Sequence, residues 1–431
     1  MKLFEYNSYH FIGIGGIGVS AIARMLHLKG KKISGSDSGK SEIIEDLEKL
    51  GIKIYIGQDK ENIKEDTEVV IYSIAIPESN PELMEAKERG LICKTYPEAL
   101  GELSKEMYTI AISGTHGKTT TTGMLAHIMK EAGLDPTVII GSKLNGKNTN
   151  FISGNSKYLV VEACEYRRSF LNLHPKILVI TNIEADHLDY YKDLEDIKSA
   201  FREITNKVPT DGFIVCNMED GITKDCVSGT KAKIINYKDI KEEINLSLPG
   251  EHNIQNARTA ISALEALGIE RNRGIEYIKS FKGTWRRLEY KGEKDGNIYY
   301  DDYAHHPTEI RASLNALKSK YTDREIFCVF EAHQQSRTKF LFDDFVTSLS
   351  IADKVFVAPI LVVREEFDPS MTNIVLAEAI NKKNNSSIAK AVQTKEELEK
   401  DLENIKTDKP LCIVLMGAGN IYTWTKFLLK T

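Results

Sequence analysis

The segment Gly114-Thr115-His116-Gly117-Lys118-Thr119-Thr120 follows the apolar run Tyr108–Ser113 and opens a helical pattern. Glycines at a strand-to-helix turn let backbone N–H groups close round a phosphate. The lysine then reaches the β and γ oxygens and the first hydroxyl ligates Mg2+. This is a shortened Walker loop, with Ile112 where the first glycine of the longer pattern stands. It predicts ATP held by Gly114, Thr115, His116, Gly117, Lys118, Thr119 and Thr120. An earlier turn, Gly13-Ile14-Gly15-Gly16-Ile17-Gly18, also joins a strand pattern to a helix pattern. Such a turn receives a pyrophosphate on the helix N-terminus, and Asp37, after the next strand, stands where a carboxylate accepts ribose hydroxyls. Gly15, Gly16, Ile17, Gly18 and Asp37 are therefore candidates for a nucleotide diphosphate. By itself the turn fits NAD as well as another nucleotide, but two successive phosphate-binding turns disfavour a simple dehydrogenase.

Acids and imidazoles gather at the ends of later strand patterns. Glu162 lies at the end of Tyr158–Ala163, and His187 follows Ile177–Asn182 within Glu184-Ala-Asp186-His187-Leu-Asp189. Mg2+ prefers oxygen ligands and accepts an occasional imidazole, so Glu162 and His187 join Thr119 as candidate ligands, with Mn2+ as a substitute ion. Asp186 and Asp189 read equally well as caps of the helix that starts near Leu194. The cluster Asp301-Asp302-Tyr303-Ala304-His305-His306 precedes a proline-started helix and suits an amine or carboxylate. Arg286-Arg287 and His333-Gln-Gln-Ser-Arg337-Thr offer guanidinium forks for carboxylates and phosphates, a solvated basic face being the plainer reading of the arginine pair. The turn Gly417-Ala-Gly419-Asn420 is weak evidence for any ligand.

Positioning these residues requires strands alternating with helices, hence α/β layers with largely parallel sheets. One block starts at Tyr9–Ile14, with further strands at Lys32–Ser34 and Val69–Tyr72. A second starts afresh at Tyr108–Ser113 and continues through Tyr158–Ala163, Ile177–Asn182 and Phe213–Asn217. Its last helix follows His252 and keeps Ile254, Ala257, Ile261, Leu264 and Leu267 on one face. A third block comes after the basic, glycine-rich segment Lys282–Gly296, with strands at Ile298–Tyr303, Ile326–Phe330, Lys354–Ala358 and Leu411–Met416. At about 100–200 residues per domain, length alone predicts two to four domains.

Composition excludes several classes. The 431 residues are 42% hydrophobic and 28% charged, ordinary usage for a folded soluble chain. With 57 Lys+Arg against 62 Asp+Glu the net charge is −5, which argues against coating nucleic acid or an anionic membrane. No apolar run approaches the ~20 residues of a membrane helix. Arg24, His27 and Lys29 interrupt the N-terminal apolar stretch where a signal peptide would not. Six scattered cysteines with no C-x-x-C pair read as reduced thiols, so the expected address is the cytoplasm.

The ordered set of motifs resembles the Mur ligases along essentially the whole chain. It comprises the Gly13–Gly18 turn, Gly114–Thr120, Glu162, Asn182 to His187, Gly250-Glu-His252-Asn253 with Asn256-Ala257, Arg286-Arg287, Asp302 to Pro307, and Ser336-Arg337-Thr338. The resemblance implies a three-domain α/β architecture. A Rossmann-like domain at 1–104 binds the UDP-sugar, a P-loop ATPase-like domain at 105–281 binds MgATP, and a Rossmann-like domain at 282–431 binds the amino acid. It adds Ser73 and Ala75 to the UDP-substrate site and His252, Asn253, Asn256 and Arg286 to the ATP site. Tyr303, His305, His333 and Arg337 become the amino-acid contacts, and Lys118, His305 and Arg337 the catalytic set. The implied activity joins L-alanine to the carboxylate of UDP-N-acetylmuramate through an acyl phosphate, in peptidoglycan precursor synthesis, with third-domain closure shielding the intermediate from water. A related ligase taking another amino acid or a UDP-sugar-peptide is the alternative. The implied partners are small molecules only, without nucleic acid or membrane insertion, and the chain is expected as a monomer or weak homodimer. Against the family pattern, Gln334 stands for an arginine, Gln335 for an aromatic, and Cys164 and Asn420 for aspartates. Lys198 lies near the lysine that some relatives carboxylate.

Overall fold

A computed structural model describes residues 2–142, 149–187, 190–363 and 365–430. Runs such as Ile177–Ile180, buried at every position, make strands covered on both faces, the situation that parallel α/β layers create. Among the described residues three sheets result. The first has five parallel strands in the order Lys53–Ile56, Lys32–Asp37, Ser8–Ile12, Val69–Tyr72, Ile92–Thr95. The second has seven, in the order Lys233–Asn236, Phe213–Cys216, Ile177–Ile180, Tyr108–Ser113, Tyr158–Glu162, Thr137–Ile139, Phe151–Ile152. The third has six: Glu289–Lys294, Asn297–Asp302, Leu411–Met416, Glu325–Phe330, Lys354–Val357, Ala389–Ala391.

Two compact units hold these sheets. Residues up to 245 with 255–281 carry the first two sheets, and 246–254 with 282–431 carry the third. Helix Glu251–Glu265 gives its first turn to the second unit and the rest to the first.

Register sets the candidate residues at common sheet edges. In the first sheet Ile12 pairs with both Ser36 and Tyr72, so the Gly13 turn, Asp37 and Ser73 emerge together. In the second, Ile112 pairs with Glu162 and Ser113 with Ile180. The Gly114 loop, Glu162 and the Thr181 segment therefore leave the sheet side by side, at the carboxyl ends where α/β sheets bind ligands. In the third, Met416 pairs with Asp302 and with Phe330, bringing Tyr303, Glu331 and Gly417 to one edge.

Several strands are shorter than their apolar runs suggest, because the last residues turn into the loops that form the sites. Tyr9–Ile14 ends at Ile12 and Ile177–Asn182 at Ile180. The basic, glycine-rich segment Lys282–Gly296, read as preceding the strands of the third block, itself contains strand Glu289–Lys294, antiparallel to Asn297–Asp302 with an irregularity between Tyr290 and Gly292. It and Thr137–Ile139 with Phe151–Ile152 make the two antiparallel pairings among the described residues. The capping expectation is corrected: Asp193 caps helix Leu194–Lys207 by accepting from the Asp196 amide at 2.9 Å. Asp186 instead accepts from the His187 amide at 2.7 Å, and Asp189 lies outside the described residues.

Candidate active site

The loop before helix Lys118–Glu131 is built by backbone that only glycine adopts easily: Gly114 has φ +127° and Gly117 φ +83°. Asn182 holds its first half. The Asn182 carbonyl accepts from the Thr115 amide at 3.0 Å, and its side-chain oxygen from the His116 amide at 2.9 Å. Thr181 Oγ1 donates to the His116 carbonyl at 2.6 Å. Gly117 caps the helix with no side-chain hydrogen bond, so the positive end of the helix dipole faces the loop, where an anion is favoured. Asn256 lies against this turn: a Cβ on Gly117 would sit 2.5 Å from its Oδ1, which also accepts from Thr121 Oγ1 at 3.3 Å.

Thr119 Oγ1 lies 3.0 Å from each Glu162 carboxylate oxygen, and Gly141 N donates to Glu162 Oε2 at 2.8 Å. A hydroxyl and a carboxylate so placed are the hard oxygen donors that Mg2+ takes, and the residues fit the ion. His187, at φ +55°, points Nε2 to within 3.5 Å of Glu165 Oε1. Glu165 is also 3.0 Å from the Lys118 ammonium. Burial opposes the charge on Lys118, but Glu165, Cys164 and Glu162 outweigh it and hold the ammonium above its ordinary range. Burial likewise opposes ionisation of Glu165, yet Lys118 and His187 bring it below the usual carboxylate value. Lys198 is a different kind of group: its Nζ lies 2.8 Å from Glu195 and 2.7 Å from Asp225, and those carboxylates raise its pKa. A carbamate forms on a neutral amine, so this pairing disfavours one there.

At the first turn, Gly13 N and Ile14 N donate to Ser36 O at 2.8 and 3.0 Å, which presses the loop onto its neighbour strand. Asp37, expected at a ribose, accepts from the Gly15 amide at 2.8 Å, so these two candidates meet each other. Gly16 starts helix Ile17–Leu28 with no side-chain cap, leaving open amides at Ile17 and Gly18. Ser73 lies beside Gly13, and Ala75 N donates to Ser73 Oγ at 3.3 Å. Two contributors escaped the sequence reading. Asn150 Nδ2 bonds Ile17 O and Ser20 Oγ at the start of that helix. Tyr96 packs on Gly18, where an added Cβ would lie 2.7 Å from its hydroxyl. Burial first, then the charge of Glu162, raises the Tyr96 pKa, so it stays a neutral donor.

In the second unit Tyr303, His305 and His333 form a run of rings. Centroids lie 5.5 Å apart for the first pair and 6.2 Å for the second. His305 Nδ1 lies 3.1 Å from the Tyr303 carbonyl and 3.4 Å from Glu309 Oε2. Protonated there, the ring keeps its lone pair on Nε2. His306 caps helix Pro307–Lys320 through Thr308 N at 3.3 Å. Arg337 is half-buried on the short helix Gln335–Phe340. Arg286 is not on a solvated face. It is 3% exposed, sits over Tyr422, Tyr303 and Trp285 at 4.6, 5.0 and 5.5 Å, and donates to Gly417 O. His252 and Asn253 lie in the first turn of helix Glu251–Glu265. Asn253 Nδ2 donates to Pro249 O at 2.8 Å, and burial lowers the His252 pKa despite Glu309. The departure at 335 has a local reason, whereas nothing in the structure explains glutamine in place of arginine at 334. Gln335, buried, donates to Asp368 O at 2.7 Å and accepts from Asp368 N at 2.7 Å, a clamp no aromatic could make. Gln334 has φ +70°, and its N–H donates to Leu361 O at 2.9 Å.

No helix among the described residues is long and apolar enough to cross a membrane. Three family patterns match the chain in order. The Mur ligase family catalytic domain matches residues 8–108, the Mur ligase middle domain 112–237, and the Mur ligase glutamate ligase domain 286–419. Each matched segment carries one of the three sheets. The UDP-N-acetylmuramate–L-alanine ligase of Clostridium acetobutylicum is 40% identical over 441 residues, covering 96% of this chain and 95% of that protein. The ligase of the same name from Hydrogenobaculum is 41% identical, covering 99% of each. Among solved structures, the UDP-N-acetylmuramate-alanine ligase of Thermotoga maritima superposes with a TM-score of 0.81 at 27% identity over 98% of both chains. With all three patterns in order and such relatives matched from end to end, the chain belongs to the Mur ligase family.

Proposed function

We propose that this chain is an ATP-dependent amide ligase that joins L-alanine to the carboxylate of UDP-N-acetylmuramate, releasing ADP and phosphate. One observation carries the reading: about 40% identity to ligases of that name along 96% of the chain. The geometry gives that likeness its chemistry, since the open-ended helix at Lys118, the Thr119–Glu162 pair and His187 gather at one sheet edge. We place the UDP-substrate domain at 1–104, the ATP domain at 105–281 and the amino-acid domain at 282–431. The cytoplasm, which supplies ATP and the UDP-linked acid, is the expected compartment.

In this reading Gly15 to Gly18, Asp37, Ser73 and Ala75 hold the UDP-linked acid, and Gly114 to Thr120 hold the triphosphate with Asn256 beside them. His252, Asn253 and Arg286 remain candidates for the nucleotide. The acid's carboxylate oxygen attacks the γ-phosphorus, the bond to ADP breaks, and an acyl phosphate forms. Lys118 and the first-turn amides hold the charge spread over the transferring oxygens. Thr119, Glu162 and His187 would hold Mg2+, which when bound would further neutralise the phosphate oxygens. The alanine amine then attacks the acyl carbon and phosphate leaves. Tyr303, His333 and Arg337 orient the amino acid, and His305 Nε2 takes the proton the amine loses.

The test is purified protein with MgATP, UDP-N-acetylmuramate and a panel of amino acids, reading phosphate and product mass. Phosphate should appear only when the acid and an amino acid are both present, and the product should be the L-alanine amide. Phosphate release indifferent to both co-substrates would overturn the reading. An amide with another amino acid would keep the reaction and correct its specificity.

A further inference from the structure

Glu165 stands in the site without a role in the reaction just described. It is 3% exposed, and its backbone carbonyl is fixed by the Tyr191 hydroxyl at 2.5 Å and the Arg168 amide at 2.9 Å. Arg167 and Arg168 follow at φ +51° and +55°, a bend that keeps the acid under the loop. Its Oε1 meets Lys118 Nζ at 3.0 Å, while Oε2 has no hydrogen-bond partner among the described residues. Lys118 Nζ also donates to Gly114 O and, at 3.0 Å, to Thr115 O.

An ammonium has three protons, and these three acceptors use them all. A phosphate oxygen gains a hydrogen bond from Lys118 only if one acceptor lets go. Two of the three are carbonyls of the loop itself, which stay beside the lysine wherever the loop goes. The third is a full negative charge from another strand end, so it is the acceptor that resembles the incoming phosphate and competes with it.

We propose that Glu165 is a positioning residue that holds the Lys118 ammonium while the phosphate site is vacant and reclaims it as the product nucleotide leaves. The inference rests on the reading that the Gly114 loop grips a nucleotide. A competitor of this kind weakens substrate and product nucleotide alike. Binding common to both states does not accelerate the chemical step, whereas slow departure of ADP would limit turnover.

The test is calorimetric titration of ADP in EDTA, so that no bridging cation is read, with the full chain, Glu165→Gln, Lys118→Ala and the double variant. Glu165→Gln should tighten ADP binding about five- to tenfold, and the gain should shrink to less than about twofold when Lys118 is already alanine. Unchanged or weaker binding by Glu165→Gln would overturn the proposal. So would an equal gain in both backgrounds, which would make Glu165 a plain repulsive charge. Should Glu165→Gln fail to melt cooperatively, Glu165→Asp keeps the charge but shortens the reach. It must also tighten ADP, and a failure to do so overturns the proposal as well. If the unaltered chain binds no ADP, the loop reading itself falls, a result distinct from the other outcomes.

Discussion

Lys118 concentrates more of the proposed chemistry than any other side chain. Replacing it by alanine removes the one ammonium seated between the loop carbonyls and Glu165. Lys118→Ala should lower amide formation by about a thousandfold, the scale of losing one preorganised group at a developing anion. UDP-N-acetylmuramate should still bind with unchanged affinity, because its proposed turn lies on another sheet. Single-turnover product formation beside calorimetry of the UDP-linked acid checks both halves. A variant that still turns over would mean the loop is misassigned. The same scale shows how context changes a residue's reading. Arg286 looks like a surface cation in the chain's order, yet it lies stacked among three aromatic rings.

At the scale of elements, the two strand–turn–helix units owe their shape to glycines, and both helices start without a side-chain cap, the feature on which their proposed phosphate binding rests. Gly117→Ala forces a side chain into φ +83° and against Asn256. Left-handed backbone costs about 1–3 kcal/mol, so ATP affinity should fall roughly tenfold or more. Calorimetry with ATP alone reads this, and unaltered affinity would mean the turn does not shape the phosphate site. Helix Leu194–Lys207 offers a test of element boundaries. Asp193→Ala should cost about 1 kcal/mol in urea denaturation, while Asp186→Ala leaves the helix cap intact. Equal losses would contradict the capping assignment.

Across the whole molecule, stability and pH are linked through acids buried in the second unit. Asp301 is 2% exposed and burial pushes its carboxyl up to about 6, against the opposing pull of Thr425, Lys291 and Arg286. Burial raises Asp302 to about 6 as well. A raised carboxyl keeps its proton in the native state between roughly pH 4 and 6, where the unfolded chain has lost it. Stability from these groups therefore falls as pH rises through that window. Asp301→Asn should raise Tm relative to the parent at pH 7.5 and give a smaller or reversed difference at pH 4.5. An identical Tm difference at the two pH values would show that Asp301 ionisation is not coupled to folding. How much of this was legible beforehand depends on how local each feature is. Both glycine turns, the parallel strand runs and the proline-started helix at Pro307 were open to reading, because strand, turn and helix preferences act between near neighbours in the chain. The clamp of Asn182 on Thr115 and His116, the pairing of Asp37 with Gly15, and the seat of Glu165 beneath Lys118 were not. Those contacts join strand ends that sheet register alone makes adjacent, and one-dimensional order carries no record of which carboxylate a lysine faces once the strands are paired.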